Sequence, residues 1–173
     1  QRISIGTALL MDSRLLVADE PVSALDVTVQ SQILELLLDI HKKRHLTILF
    51  ISHDLNIVRH ICHRVAVIYL GRIVEMADVD EIYKNPCHPY TRMLFESVLS
   101  DGVSKDEQAQ EQPEEESIGQ DIEDSTDTGT GCPFYPRCAC VMERCAYQAP
   151  ESIDVGTDRP HLVRCFRADQ KSM

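Results

Sequence analysis

Residues able to do chemistry fall into two groups. In the stretch Leu15 to Asp26, LLVADEPVSALD, four apolar residues run into the adjacent carboxylates Asp19 and Glu20, and a turn then closes on Ser23, Ala24, Leu25 and Asp26. A second apolar run, Thr47 to Ser52, ends at His53 and Asp54. Hard carboxylate oxygens suit a divalent cation carrying nucleotide phosphates, a task for Asp19. Glu20 is then placed to orient or deprotonate an attacking water, and His53 to donate to a γ-phosphate and stabilise its developing charge. The second group is Cys132, Cys138, Cys145 and Cys165, spaced C-x5-C-x6-C-x19-C, with Cys140 close by as a fifth thiol. Four thiolates can hold a tetrahedral zinc or an iron–sulfur cluster, but no C-x2-C pair of a common zinc site is present. Spacing alone leaves ligation and free thiols both open.

Taken singly, these residues have plainer readings. An Asp-Glu pair after a strand can simply cap the next turn, and Ser52-His53-Asp54 reads by itself as a helix-entry cluster. Co-occurrence favours chemistry: two carboxylates, a further Asp a turn later, and a His ending the next strand. Leu15 to Ala18 and Thr47 to Ser52 have the continuous hydrophobicity of buried parallel strands. Between them Val29, Ile33, Leu36, Leu37 and Ile40 recur at helical spacing, with Asp26 as cap and Lys42, Lys43 and Arg44 suited to the last turn. Strand, helix and parallel strand make a crossover unit, and open α/β sheets place their ligands at the carboxyl ends of such strands. Asp54 caps an expected helix through Ile61. Arg64 to Leu70 and Arg72 to Met76 flank Gly71 as a strand pair, and helices over Val79 to Lys84 and Tyr90 to Leu99 close this body.

The net charge of −11 is uninformative about partners once it is located, because eleven carboxylates against Lys105 alone lie between 101 and 131. Such a segment cannot bury enough surface to offset chain entropy and is expected to be a disordered linker. It divides a body at 1–100 from a Cys-rich tail at 132–173. No apolar run approaches the roughly 18 residues of a membrane span. No signal-peptide pattern opens the chain, and seven cysteines, an odd number, suit a reducing cytosol. Gln1-Arg2-Ile3 enters an apolar-periodic segment with no preceding cap, so the chain is expected to begin inside an element of a longer protein. No G-x-x-x-x-G-K-S/T phosphate loop occurs anywhere in the sequence.

The residues together resemble the ATP-binding-cassette (ABC) ATPases. LLVADEP is similar to their Walker B segment, Ser23 to Asp26 to their D-loop, Ile51-Ser52-His53-Asp54 to their switch-histidine motif, and Gln1 to Ile5 to the helix after their LSGGQ signature. The resemblance implies an α/β fold, the C-terminal part of a RecA-like nucleotide-binding domain, with ATP and Mg2+ as cofactors. It gives Asp19 the magnesium, Glu20 the catalytic carboxylate and His53 the γ-phosphate, with Ser23 and Asp26 communicating across a nucleotide-sandwich dimer. Tyr69 to Glu75 (YLGRIVE) and Asn85 to Thr91 (NPCHPYT) further resemble the dipeptide and oligopeptide importers, and PVSALDV and SHDLNIVRH their F-type member. That implies a second, unlike ATPase subunit and membrane permease subunits as partners, at the cytoplasmic face of the membrane. The tail, with Cys-Pro-Phe, Pro-Arg-Cys and His-Leu-Val-Arg-Cys, resembles the C-terminal extension of these ATPases. Some members bind a 4Fe-4S cluster there through four such cysteines, so ligation by Cys132, Cys138, Cys145 and Cys165 is the implied role. Cys62 and Cys87 read as ordinary packing or surface residues.

One departure from the family pattern is Gly6-Thr7, where glycine costs a helix interior about 1 kcal/mol relative to Ala. The larger one is that phosphate loop, glutamine loop and LSGGQ would all precede residue 1. The expected function is therefore the C-terminal portion of the ATP-hydrolysing subunit of a peptide importer, inactive without its phosphate-loop half. The alternative is a non-catalytic metal- or cluster-binding regulatory module on an ATPase scaffold. A cassette ATPase of translation or DNA repair is disfavoured by HPYT and the tail, and no aromatic-basic patch for nucleic acid is present.

Overall fold

The computed structural model describes residues 13–23, 25–101 and 130–168. Ala24, the segment resembling the post-signature helix, the Gly6-Thr7 departure and nearly all of the acidic linker lie outside the described residues. The chain forms two compact units, Gln1–Val65 and Ala66–Met173.

In the first unit, β1 (Leu15–Asp19) and β2 (Thr47–Ile51) pair in parallel, Leu15 opposite Thr47 and Asp19 opposite Ile51. Between them runs α1 (Val27–Arg44). Its start is fixed by Asp26, whose carboxylate accepts from Thr28 N and Val29 N, filling donors that a first turn leaves empty. Its end carries His41, Lys42, Lys43 and Arg44 against the carbonyl pole of the helix, and His45 closes it in the left-handed conformation. Leu16, Val22, Ile33, Leu37, Leu46 and Ile57 form the core of this unit. The short α2 (Leu55–Ile61) is capped by Asp54 as the sequence suggests, through Asn56 N and Ile57 N. The other face of the strand pair is bare: Leu15, Val17, Leu49 and Ile51 are 52%, 56%, 52% and 44% exposed.

The second unit is built on a four-stranded sheet in the order β3-β4-β6-β5. β3 (Arg64–Tyr69) and β4 (Arg72–Asp78) are joined at Leu70 and Gly71, both at positive φ, 44° and 72°, the geometry of a type I′ hairpin turn. Two helices follow, α3 (Val79–Lys84) and α4 (Pro89–Asp101). The tail supplies β5 (Ile153–Asp154) and β6 (Leu162–Val163), and β6 pairs antiparallel with both β4 and β5. The division between compact units thus falls at Val65/Ala66, and the tail strands complete the sheet begun by the body hairpin. Phe134, 2% exposed, anchors the tail among aromatic rings, edge-on to Tyr69 at 5.2 Å and tilted against Tyr90 at 5.5 Å.

Candidate functional sites

Sequence placed Asp19 and Glu20 after one strand and His53 after the next, and the parallel register brings these strand ends side by side. Glu20 N donates to Ile51 O at 2.9 Å, tying the residue after β1 to the end of β2. His53 Nδ1 then lies 2.9 Å from Glu20 Oε1. Glu20 adopts a left-handed backbone, φ 40°, and Ser23 Oγ donates to its carbonyl oxygen at 3.2 Å. An exposed pair of this kind contributes little to stability, whereas a left-handed backbone at a residue with a Cβ costs stability. Such strain is characteristic of functional positions. The hydrogen bond from His53, and then its charge, hold the Glu20 carboxyl below its ordinary value. Ionised and accessible, that carboxylate can accept a proton or a hydrogen bond from water. Asp19 ends β1 exposed beside it, an open carboxylate that fits a hydrated divalent cation. Asp26 acts here as the cap of α1.

The second site is in the tail. Cys132, Cys138, Cys140, Cys145 and Cys165 line one cavity. None of the seven cysteines is in a disulfide. Cys138 caps the short 3-10 turn Tyr135–Arg137, Cys145 lies in a second, Glu143–Ala146, and Cys132 N donates to Cys145 O at 2.8 Å. Gly131 permits that approach: a Cβ there would meet Ala146 O at 2.5 Å and Cys145 O at 2.6 Å. Burial pushes the Cys132 and Cys138 thiols up, and repulsion from the neighbouring thiols adds to it. Crowded thiols of this kind ionise when a cation compensates, which is how metal binding releases protons.

The donor set, five thiols around one cavity, has the chemistry to hold either a zinc ion or an iron–sulfur cluster. Tetrahedral zinc, with Zn–S near 2.3 Å, needs sulfurs about 3.8 Å apart. Among the described residues, the one trio of ligand atoms within 4.8 Å of each other is Glu75, Cys87 and His161, so no three of the tail thiols lie that close together. A four-iron cluster, with each thiolate on its own iron, separates its ligands further than one ion does.

That trio was not legible as a site, and its geometry is that of a hydrogen-bonded latch. Glu75 is completely buried in β4, and its carboxylate accepts from Cys87 N at 2.7 Å, His88 N at 2.9 Å and His161 Nε2 at 2.7 Å. The 2.7 Å nitrogen–oxygen separation is a hydrogen bond. Asp154 Oδ1 accepts from His161 N at 2.9 Å and so sets that residue in place. Beside the latch, burial pushes His88 down to about 4, with the Glu75 charge partly opposing it.

A family model described as the oligopeptide/dipeptide transporter C-terminal region matches residues 74–145. A putative peptide import ATP-binding protein of Brucella ovis is 43% identical over 168 residues, 96% of this chain and 50% of that protein. The oligopeptide transport ATP-binding protein OppF of Salmonella typhimurium is 37% identical over 169 residues, 98% of this chain and 48% of its own. Among solved structures, cbiO1 from Clostridium perfringens, part of the ABC transporter complex cbiONQ, is 32% identical with a TM-score of 0.45, covering 49% of this chain and 34% of that one. The class that the chain resembles is therefore that of transporter ATP-binding proteins. Within it, the chain is similar over most of its length to peptide-import ATP-binding proteins, and residues 74–145 match the oligopeptide/dipeptide transporter C-terminal region. The chain spans about half the length of the curated relatives it matches. Among the described residues no helix is long and apolar enough to cross a membrane.

Proposed function

We propose that the chain is the catalytic-carboxylate half of an ATPase subunit that drives peptide uptake, of the F-type, working with a second ATPase subunit and membrane permease subunits at the cytoplasmic membrane face. The observation carrying this reading is the 2.9 Å contact of His53 with Glu20 at the ends of adjacent parallel strands, in a chain similar to peptide-import ATP-binding proteins. Magnesium, when bound with ATP, would neutralise phosphate charge. Asp19 would hold it, Glu20 would polarise the attacking water, and His53 would steady Glu20 and reach the γ-phosphate. Ser23 and Asp26 would face the partner ATPase subunit. The bare face of β1 and β2 supports a larger sheet layer, since a two-stranded parallel pair with one apolar face uncovered does not stand alone.

No phosphate loop occurs in this sequence, so the chain by itself hydrolyses no ATP. Joined to a phosphate-loop half, it should turn over ATP, and Glu20→Gln should lower the rate at least a hundredfold, the scale of a lost catalytic base. Turnover by the isolated chain that Glu20→Gln abolishes, or a joined enzyme indifferent to Glu20→Gln, refutes the assignment. A joined protein that never hydrolyses ATP but loads its tail would favour the regulatory-module reading. In the tail, Cys132, Cys138, Cys145 and Cys165 would hold a 4Fe-4S cluster, with Cys140 as the spare thiol. Colourless, iron-free protein after anaerobic purification would defeat this assignment.

A further inference from the structure

Two walls of the cysteine cavity come from outside the tail: His88 and Pro89, at the start of α4. His88 is 1% exposed, and its setting is fixed on two sides. Its backbone N–H donates to Glu75 Oε2 at 2.9 Å, and its ring packs 5.8 Å from the Phe134 ring. Its Nδ1 accepts from Tyr90 N at 3.1 Å. A nitrogen that accepts carries no proton, so a neutral ring keeps its proton on Nε2. Among the described residues the hydrogen bond that the ring makes is the one from Tyr90 N. The ring thus offers one N–H donor, locked in tautomer, from the wall of a cavity whose other polar lining is largely sulfur.

The geometry points to His88 as the hydrogen-bond donor to a sulfur of the cluster in this cavity, and so as the residue that sets its reduction potential. The inference rests on the cluster reading of the tail. Reduction adds negative charge to a thiolate-ligated cluster, and an N–H directed at a sulfur stabilises the reduced form more than the oxidised one. Two other positions on the same wall do not compete for the role. Pro89 has no N–H, and the backbone N–H of His88 is already taken by Glu75. His88 is a positioning and tuning residue, not a ligand.

The test uses the full-length protein, purified anaerobically and supplied with iron and sulfide. Loading is followed by visible absorbance and iron content, and the midpoint potential by titration with a chemical reductant. His88→Leu should still load, because the cysteines are untouched, and should become harder to reduce by at least tenfold in the equilibrium, about 59 mV for a one-electron couple. His88→Gln, whose amide can present an N–H near the Nε2 position, should recover more than half of that shift. Equal potentials in the natural protein and His88→Leu overturn the inference, as does an equal shift in both variants. Pulsed electron paramagnetic resonance of the reduced natural protein with nitrogen-15 histidine needs no variant to fold. A weak coupling to histidine nitrogen is expected there, and its absence also overturns the inference. A natural protein that loads no cluster defeats the cluster reading and this inference together, whereas loading with an unshifted potential defeats only the role of His88.

Discussion

Replacing His161 by Leu removes one hydrogen-bonding partner of a carboxylate that has no access to water. Glu75 is 0% and His161 2% exposed, and their side-chain atoms meet at 2.7 Å. Breaking a buried pair by deleting one partner typically costs about 3–5 kcal/mol. Glu75→Leu should cost more, because Cys87 N and His88 N lose their acceptor too, at about 1–3 kcal/mol for each orphaned donor. Domain stabilities of about 5–15 kcal/mol make either loss a large fraction of the total. With a urea slope of about 2 kcal/mol per molar, a loss of about 4 kcal/mol lowers the midpoint by about 2 M. The chain has no Trp, so the transition is read by tyrosine fluorescence from the Tyr69 and Tyr90 pair beside Phe134. In the double variant, removing His161 after Glu75 is gone should add little, so the two losses should fall short of additivity by at least about 2 kcal/mol. A His161→Leu protein within about 1 kcal/mol of the natural one, or strictly additive losses, would refute the latch.

Leu70 sits at φ 44° and is 74% exposed, so Leu70→Asn, better suited to that backbone, should stabilise by about 1 kcal/mol, read as a raised thermal midpoint. Asp26→Ala should destabilise by about 1 kcal/mol through loss of the α1 cap, while Asp26→Asn keeps the cap. An ATPase defect in Asp26→Asn within the joined enzyme would then report subunit communication rather than folding. Because the folded value of Glu20 is depressed, its pairing with His53 is intact at neutral pH and is lost as pH falls through a value below 4.5. In His53→Ala the Glu20 carboxyl carbon should titrate closer to 4.5 by NMR, and an unmoved midpoint would exclude His53 as the cause.

The first unit was legible because its signals are local. The β1–α1–β2 order follows from short apolar runs around a helical periodicity, and Asp26 and Asp54 mark helix starts by residue type alone. Glu20 and His53 were each legible as candidates for chemistry, and parallel pairing supplied their contact. The latch was not legible. Glu75 follows Val74 in β4, and both are buried, so the strand is covered on both faces there. The covering comes from Cys87 and His88, 12 and 13 positions further on, and from His161, 86 positions further on, and no local periodicity encodes it. The cysteines were legible as a set, but His88 as their wall was not, because His88-Pro89 reads locally as a helix entrance.

The strand order of the second unit has a consequence for the time course of synthesis. β6, among the last described residues, lies inside the sheet between β4 and β5, and Arg164 N donates to Val74 O. While the chain emerges, β4 waits with one edge unpaired and Glu75 without its histidine until His161 has left the ribosome. Cys165 arrives later still, so both the sheet and the thiol set close only once these residues have emerged. A chain stopped short of His161 would expose the β4 edge and an uncompensated carboxylate together, a defect that proteolytic quality control can recognise.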